Sequence, residues 1–174
     1  KLTSTFPQNI GQVPIYYAHK NTGRPLPQGK WFEKFRSNYL DVSNDPLYPF
    51  GYGLSYTQFT FSDIKLSSSK MAKSGSIIAS VTVTNTGMIE GKEVVQLYLR
   101  DMVGSITRPV KELKGFQKIN LKPGESKELS FTITEEELKF YNSDLQYVSE
   151  PGDFKVFIGS NSRDVKENGF ELTD

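Results

Sequence analysis

Cysteine is absent from the 174-residue sequence, and histidine occurs once. The chain therefore has no disulfides or thiolate metal ligands, and one histidine argues against a zinc site. No run approaches the roughly 18 apolar residues of a membrane span. The first residues lack both an initiator Met and the apolar core of a signal peptide, so we expect that the chain begins where something was removed.

The sequence also lacks an excess of charge of either sign. The 21 basic and 20 acidic residues leave a net charge of +1, which argues against nucleic-acid binding, where a basic excess is usual. Hydrophobic residues make up 36% of the chain and aromatic residues 13%. That is enough apolar material for a packed core, and it excludes wholesale disorder.

The sequence divides into two unlike parts. Residues 1–56 hold six of the nine prolines and six of the nine tyrosines. The run at 48–56 is too rich in Pro and Gly for a regular element, and it is too aromatic for a solvated linker. A segment with this much apolar surface and little periodicity cannot easily bury its rings by itself, so we expect it to lie against another body, an earlier part of a longer chain.

One stretch of the first part fits a helix only weakly. The spacing of Trp31, Phe35 and Tyr39 by four places them on one helix face. Proline and glycine crowd the flanks, however, and no capping residue is evident. A stable helix is therefore not the favoured interpretation here.

The second part reads as strands. Apolar residues recur at every second position over residues 77–83, 129–133 and 154–158. This period of two predicts strands with one buried face. Residues 94–99 are apolar on both faces, which predicts a central strand.

Two local features refine this prediction. The apolar positions of a first strand, residues 59–66, change phase near Asp63, as they would at a bulge. Residues 134–138 are the one helical stretch, in which Thr134 can cap and Glu137 follows three residues later.

Turn signals separate the strands at residues 85–87, 122–125 and 150–153, each of which contains Gly with Asn or Pro. Seven or so short strands at this spacing indicate an all-β, immunoglobulin-like antiparallel sandwich over residues 57–174.

A search for catalytic chemistry finds no convincing constellation. His19 lies in a segment without the strand–turn–helix signature of a nucleophile, so we interpret it as a loop residue. Glycosidase chemistry needs paired carboxylates roughly 5–10 Å apart on a rigid frame. Glu33, Asp41 and Asp45 and the acids of the second part read as solvated surface groups, and none stands out as buried or paired. We predict no catalytic residue, cofactor or metal in this chain.

Several motifs are distinctive in their order. They are Phe6-Pro7, Asn21-Thr22-Gly23-Arg24-Pro25, the run 47–57 (LYPFGYGLSYT), 83–87 (VTNTG), 94–98 (VVQLY), 108–116 (RPVKELKGF) and 151–159 (PGDFKVFIG). Together they resemble the C-terminal end of three-domain bacterial β-glucosidases of glycoside hydrolase family 3, over nearly the whole chain.

The resemblance implies a fold and a role. Residues 57–174 would be a fibronectin type III-like domain, and residues 1–56 the irregular end of an α/β sandwich domain plus a connector. The family is retaining, with an aspartate nucleophile and a glutamate acid/base that lie upstream of this chain, so no catalytic residue is carried over. The resemblance also implies a periplasmic or secreted enzyme. Because relatives include β-xylosidases and N-acetylhexosaminidases, the glycone stays a family-level expectation.

The connector is expected to pack between the upstream catalytic domains and the terminal domain. The expected packing residues are Tyr48, Pro49, Phe50, Tyr52, Leu54 and Tyr56. The upstream domains and, in the intact enzyme, a carbohydrate substrate are the expected partners.

Two other interpretations stay open. One is a carbohydrate-binding module, in which Tyr98 and Phe157, out of phase with the apolar rows, would stack on sugars, although packing is the more usual role for such rings. The other is an Ig-like protein-binding domain, which fits the aromatic segment only if that segment is itself a partner site.

Overall fold

The computed structural model describes residues 1–27, 30 and 32–174. The part before β1 holds one short 3-10 helix, Ile10–Gln12, and isolated bridges between irregular segments. Trp31 lies outside the described residues, and Phe35 lies in a turn with a φ of 67°. Residues 32–39, the described part of the stretch with the weak helix pattern, contain no helix, in line with the Pro- and Gly-rich flanks.

The rest of the described chain is built almost entirely from strands. In order they are β1 (Phe59–Phe61), β2 (Lys65–Leu66), β3 (Lys70–Ala72), β4 (Ser76–Asn85), β5 (Gly91–Asp101), β6 (Glu112–Leu121), β7 (Ser126–Thr134), the helix α1 (Glu135–Leu138), β8 (Phe140–Tyr141), β9 (Tyr147–Val148), β10 (Gly152–Gly159) and β11 (Val165–Thr173).

Two sheets form the sandwich. In the first, β7 pairs along nearly all of β4, while β1 and β2 pair with successive parts of it. The second has the order β3-β11-β10-β5-β6. Every pairing is antiparallel except that of β3 with β11. The predicted antiparallel sandwich is confirmed, and β8 with β9 adds a small separate hairpin.

The core lies between the two sheets. Ile77, Ala79, Val81 and Val83 of β4 are almost completely buried and alternate with more exposed residues. The alternating apolar residues of β5, β7 and β10 join the same cluster. On β5, residues 95–99 are all buried, and the strand lies between β10 and β6. The predicted central strand is thus confirmed.

The predicted phase change near Asp63 is confirmed as a register shift. Phe61 is opposite Val83 and Lys65 is opposite Ser80, so the β1–β2 stretch contains one residue more than β4. This extra residue reverses the alternation. As a result Ile64 and Leu66 pack on the same core as the phenylalanines of β1.

The predicted helix start is also confirmed. The Thr134 side chain accepts a hydrogen bond from the Glu136 amide at 3.3 Å, and the Glu137 carboxylate accepts one from the Thr134 amide at 2.7 Å. This capping box satisfies backbone donors that a helix start leaves open.

The structure has more strands than the seven or so predicted. Within the described residues there are eleven, because the first strand is interrupted and three short strands carry no sequence pattern. Two long strands, β6 and β11, were not recognised from the sequence. None of the helices in the described part of the chain has the length and hydrophobicity needed to cross a membrane.

Candidate inter-domain contact site

The outer face of the five-stranded sheet is covered where β5 and β10 lie side by side. Tyr98 and Phe157 are opposite each other across these strands, on the face that points away from the core cluster. Successive side chains of a strand point to opposite faces, so these rings should face solvent. Yet Tyr98 is 0% exposed and Phe157 6%. Another part of the chain must therefore cover them.

Residues of the first part provide that cover through aromatic contacts. Tyr17 stacks on Phe50 with ring centroids 4.3 Å apart and meets Tyr98 edge-on at 5.7 Å. The Tyr17 hydroxyl also accepts a hydrogen bond from the Leu113 amide at 3.4 Å. Such ring pairs contribute about 0.5–1.5 kcal/mol beyond the burial of their area. Burial and the nearby Tyr17 raise the pKa of Tyr98.

A buried glutamine joins the connector to the sheet. The Gln96 amide nitrogen donates to the Ser160 carbonyl at 2.7 Å and to the Gly51 carbonyl at 3.3 Å. Its amide oxygen accepts from the Tyr98 hydroxyl at 2.5 Å. Because an unpaired polar group is costly when buried, these bonds fix the connector at one position on the sheet.

Gly51 is required at this contact for two reasons. Its φ of +79° lies in the region that favours glycine. A Cβ at this position would also lie 2.1 Å from the Gln96 amide oxygen. The connector backbone therefore approaches the sheet as closely as a residue without a side chain allows.

Two loops of the sandwich complete the contact. The Ser162 amide donates to the Phe50 carbonyl at 2.9 Å, and the Val110 amide donates to the His19 carbonyl at 2.9 Å. The Lys111 ammonium donates to the Ser162 carbonyl at 2.7 Å and lies 4.4 Å from the centre of the Phe157 ring. Each loop therefore holds a different part of the first 56 residues.

The start of the chain pairs with the connector. The Leu2 amide donates to the Tyr52 carbonyl at 2.7 Å, and the Phe6 amide donates to the Tyr48 carbonyl at 2.9 Å. Lys1 forms an ion pair with Glu93 of β5 at 2.6 Å. These contacts tie the connector to the end of the sandwich.

The structure divides the six expected packing residues into two groups. Pro49 is buried, and Phe50 and Tyr52 are half-buried. The others are exposed by 41% (Tyr48), 89% (Leu54) and 99% (Tyr56). Tyr48 packs on Tyr52 and Phe6, with ring centres 5.1 and 6.5 Å apart, so Leu54 and Tyr56 are the two that the described residues leave almost uncovered.

Two acids correct the expectation that no carboxylate is buried. Glu93 is buried and paired with Lys1, and Asp101 is buried beside Arg108, whose Nε lies 3.8 Å from its carboxylate. Burial raises the pKa of Asp101, while the Val103 amide and Arg108 act in the opposite direction. Glu93 and Asp101 lie near the two ends of β5. The alternation of a strand does not show whether other segments cover its ends, so the sequence gives no sign that these two acids are buried.

These two acids do not form a glycosidase pair. They lie on one strand, eight residues apart, which corresponds to about 26 Å of extended chain. A glycosidase needs its two carboxylates within roughly 10 Å. Arg108 also binds Glu112 at 2.8 Å and lies 4.2 Å from the Phe140 ring centre, which gives this cluster a structural role at the base of the β5–β6 loop.

Comparison with known proteins decides the family. A fibronectin type III-like domain model matches residues 93–162. The chain is 56% identical over 172 residues to a periplasmic β-glucosidase of Salmonella typhimurium, covering 99% of this chain and 22% of that protein. It is 49% identical over 122 residues to the β-glucosidase BoGH3A of Bacteroides ovatus, covering 70% and 16%.

A solved structure agrees with these relatives. The Listeria innocua β-glucosidase in complex with glucose superposes with a TM-score of 0.92 at 44% identity, over 99% of this chain and 24% of that one. The chain is therefore a segment of a glycoside hydrolase family 3 protein. It spans less than a quarter of the length of each of these relatives.

Among the described residues of this family 3 segment, no group of three or more potential metal ligands comes together. The imidazole of His19 makes its hydrogen bond with the Lys20 carbonyl, at 3.1 Å, and its ring contact with Tyr16. His19 is therefore placed as a loop residue without nucleophile or acid partners from the described chain.

Several residues that build the contact were not singled out from the sequence. Gln96 and Tyr17 were absent from the expected packing set, although each forms a hydrogen bond across the junction. Lys111 was absent as well; it bonds to Ser162 within the sandwich and lines the cavity between the two parts. Gln12 is fully buried, and its amide nitrogen donates to the carbonyls of Ser43 and Asp45 at 2.9 and 3.1 Å. A glutamine in an irregular segment carries no local signal of burial, because its partners lie 31 and 33 positions away.

Proposed function

We propose that this chain is the non-catalytic C-terminal part of a retaining family 3 β-glucosidase that hydrolyses terminal β-glucosides. Residues 57–174 serve as its fibronectin type III-like domain. Residues 1–56 close the preceding α/β sandwich domain and form the connector. The role of the chain is to hold the terminal domain in a fixed orientation relative to the upstream catalytic domains.

One observation carries the proposal: part of the connector is bound to the sandwich, while two large apolar residues at its end are left uncovered by the described chain. Phe50 and Gly51 are bound to the sandwich, whereas Leu54 and Tyr56 are almost fully exposed. Large apolar side chains that a folded chain leaves exposed are typical of an interface. The upstream domains of the same chain are the partner that the length of the relatives supports.

The carbohydrate-binding alternative has less support. The two rings that could have stacked on sugars, Tyr98 and Phe157, are buried, with Tyr17 against the first and Lys111 against the second. A periplasmic or secreted location is part of the proposal, and the periplasmic relative from Salmonella typhimurium supports it.

The test compares one substitution in two proteins. Tyr56→Ala should leave the melting temperature of the 174-residue chain unchanged, because the ring makes no buried contact there. In the longer β-glucosidase it should lower the stability by about 2–4 kcal/mol, because the ring would be buried against another domain. Tyr141→Ala is the control: this tyrosine of the β8–β9 hairpin is 63% exposed and its ring lies 5.0 Å from that of Tyr147, so its loss should lower the stability of both proteins by the same small amount.

The same variants are assayed for aryl β-glucoside hydrolysis. Activity of Tyr56→Ala should fall only as far as folding or domain docking is lost. An unchanged melting temperature together with a raised KM would instead place the ring at the substrate site and contradict the packing role.

A further inference from the structure

Lys111 occupies an unusual environment for a lysine. Its ammonium donates to the Ser162 carbonyl at 2.7 Å and lies over two aromatic rings, 4.4 Å from the centre of Phe157 and 6.0 Å from that of Tyr98. Its side chain is half-buried between the β5–β6 loop and the sheet. Burial removes much of the water that would otherwise stabilise the positive charge, whereas the Ser162 carbonyl and the two ring faces favour it.

No carboxylate in the described part of the chain lies within 4.0 Å of the Lys111 ammonium. The charged groups that act on it at longer range are Glu167 of β11 and Arg100 of β5. Glu167 is bound to Lys155 at 3.0 Å. Burial lowers the pKa of Lys111 to about 8, Glu167 opposes this and Arg100 adds to it. A desolvated lysine without an acidic partner shifts in this direction.

Solvent still reaches the amine. Lys111 lines a cavity of about 290 Å³ between the first 56 residues and the sandwich, together with Tyr17, His19, Asp45, Ser162 and Arg163. This volume lies just below the usual range for small-molecule sites, so the cavity suits small reagents.

We propose that Lys111 is a covalent modification site for small acyl donors, namely activated esters and acyl phosphates. Its neutral amine attacks the carbonyl carbon of the donor and forms a C–N bond. The C–O bond to the leaving group breaks, and the leaving oxygen keeps the electron pair of that bond. The nitrogen loses one proton to solvent. The product is an N-acylated lysine, and no oxidant or metal is needed. The site is independent of the glucosidase proposal.

The chain contains two matched controls. Lys139 also lies near an aromatic ring, 5.9 Å from the centre of Tyr147, but it pairs with Glu136 at 2.9 Å, which raises its pKa. Lys70 pairs with Glu171 at 2.7 Å, which likewise raises its pKa. These amines are protonated under conditions in which Lys111 is partly neutral.

The experiment treats the 174-residue chain with limiting N-hydroxysuccinimidyl acetate and quantifies acetylation of each lysine by peptide mass spectrometry. At about pH 8 Lys111 should react about tenfold faster than Lys139, because its larger neutral fraction outweighs the lower nucleophilicity of a weaker base. Its rate should level off above about pH 9, while those of Lys139 and Lys70 should keep rising.

Unfolding the chain in urea should abolish the preference and make the three pH profiles alike. In the folded chain, a Lys111 rate no greater than that of Lys139, or a Lys111 profile that still rises at about pH 10, would overturn the proposal. Repeating the reaction with acetyl phosphate tests the second donor class, and preferential labelling at Lys139 or Lys70 would exclude that class.

Discussion

The connector contact can be tested at the one position where its backbone touches the sheet most closely. Gly51→Ala combines two penalties. A non-glycine residue in the left-handed region costs about 1–2 kcal/mol of stability. About 0.4–1 kcal/mol of this is offset, because alanine has fewer conformations than glycine in the unfolded chain. The new Cβ would also lie 2.1 Å from the Gln96 amide oxygen, which must move. That movement breaks the bond from the buried Tyr98 hydroxyl, which costs about 1–3 kcal/mol. We therefore expect a loss of about 2–4 kcal/mol.

Gly124→Ala supplies the control. Gly124 has a similar φ of +73°, but no atom lies within 4 Å of its added Cβ. It should show the backbone penalty alone, about 1 kcal/mol or less. The free energies of unfolding are measured in urea, and hydrogen exchange of residues 48–52 reports whether the connector detaches before the sandwich unfolds. Adding Gln96→Ala removes the clash, so in that background Gly51→Ala should cost no more than Gly124→Ala.

A destabilisation by Gly51→Ala equal to that of Gly124→Ala, with unchanged exchange at residues 48–52, would refute this account. It would mean that the connector does not rest on Gln96 in solution.

Three further predictions follow from the same structure. The purified chain should not hydrolyse aryl β-glucosides, because its buried acids are not placed as a catalytic pair; turnover that disappears when one acid of this chain is mutated would contradict this. Phe50→Ala should destabilise the chain by less than the roughly 3–5 kcal/mol that a fully buried ring contributes, because Phe50 is half-buried against Tyr17. A urea titration that shows no loss of stability would disprove the stacking contribution. Because the pKa of Lys111 is low in the folded chain, the unfolded state binds more protons than the folded state between about pH 8 and 10.5. The wild-type chain should therefore gain stability relative to Lys111→Met as the pH rises through this window. Parallel curves of stability against pH for the two proteins would argue against it.

Much of the sandwich follows from local patterns. The alternation of Ile77, Ala79, Val81 and Val83 identifies β4, because a strand exposes every second side chain to the same face. The phase change near Asp63 reveals the extra residue between β1 and β2. Thr134 and Glu137 mark the start of α1 because a capping box needs only residues three positions apart.

Other strands have no such signature. β11 begins with a polar stretch, in which Lys166, Glu167 and Asn168 are exposed and only its far end reaches the core at Phe170 and Leu172. Its position is fixed by pairing with β10 on one side and β3 on the other. Alternation cannot identify a strand whose first half has no buried face.

The tertiary structure alone decides the contact site. The sequence shows that the run 48–56 is aromatic and rigid, but not that Phe50 and Gly51 meet the sheet while Leu54 and Tyr56 stay exposed. Gln96 reads as an outward-facing polar residue until Gly51, 45 positions away, is placed over it. Local spacing determines which face of a strand a residue occupies. Whether that face is dry depends on which distant segment folds across it, and only the assembled chain settles that.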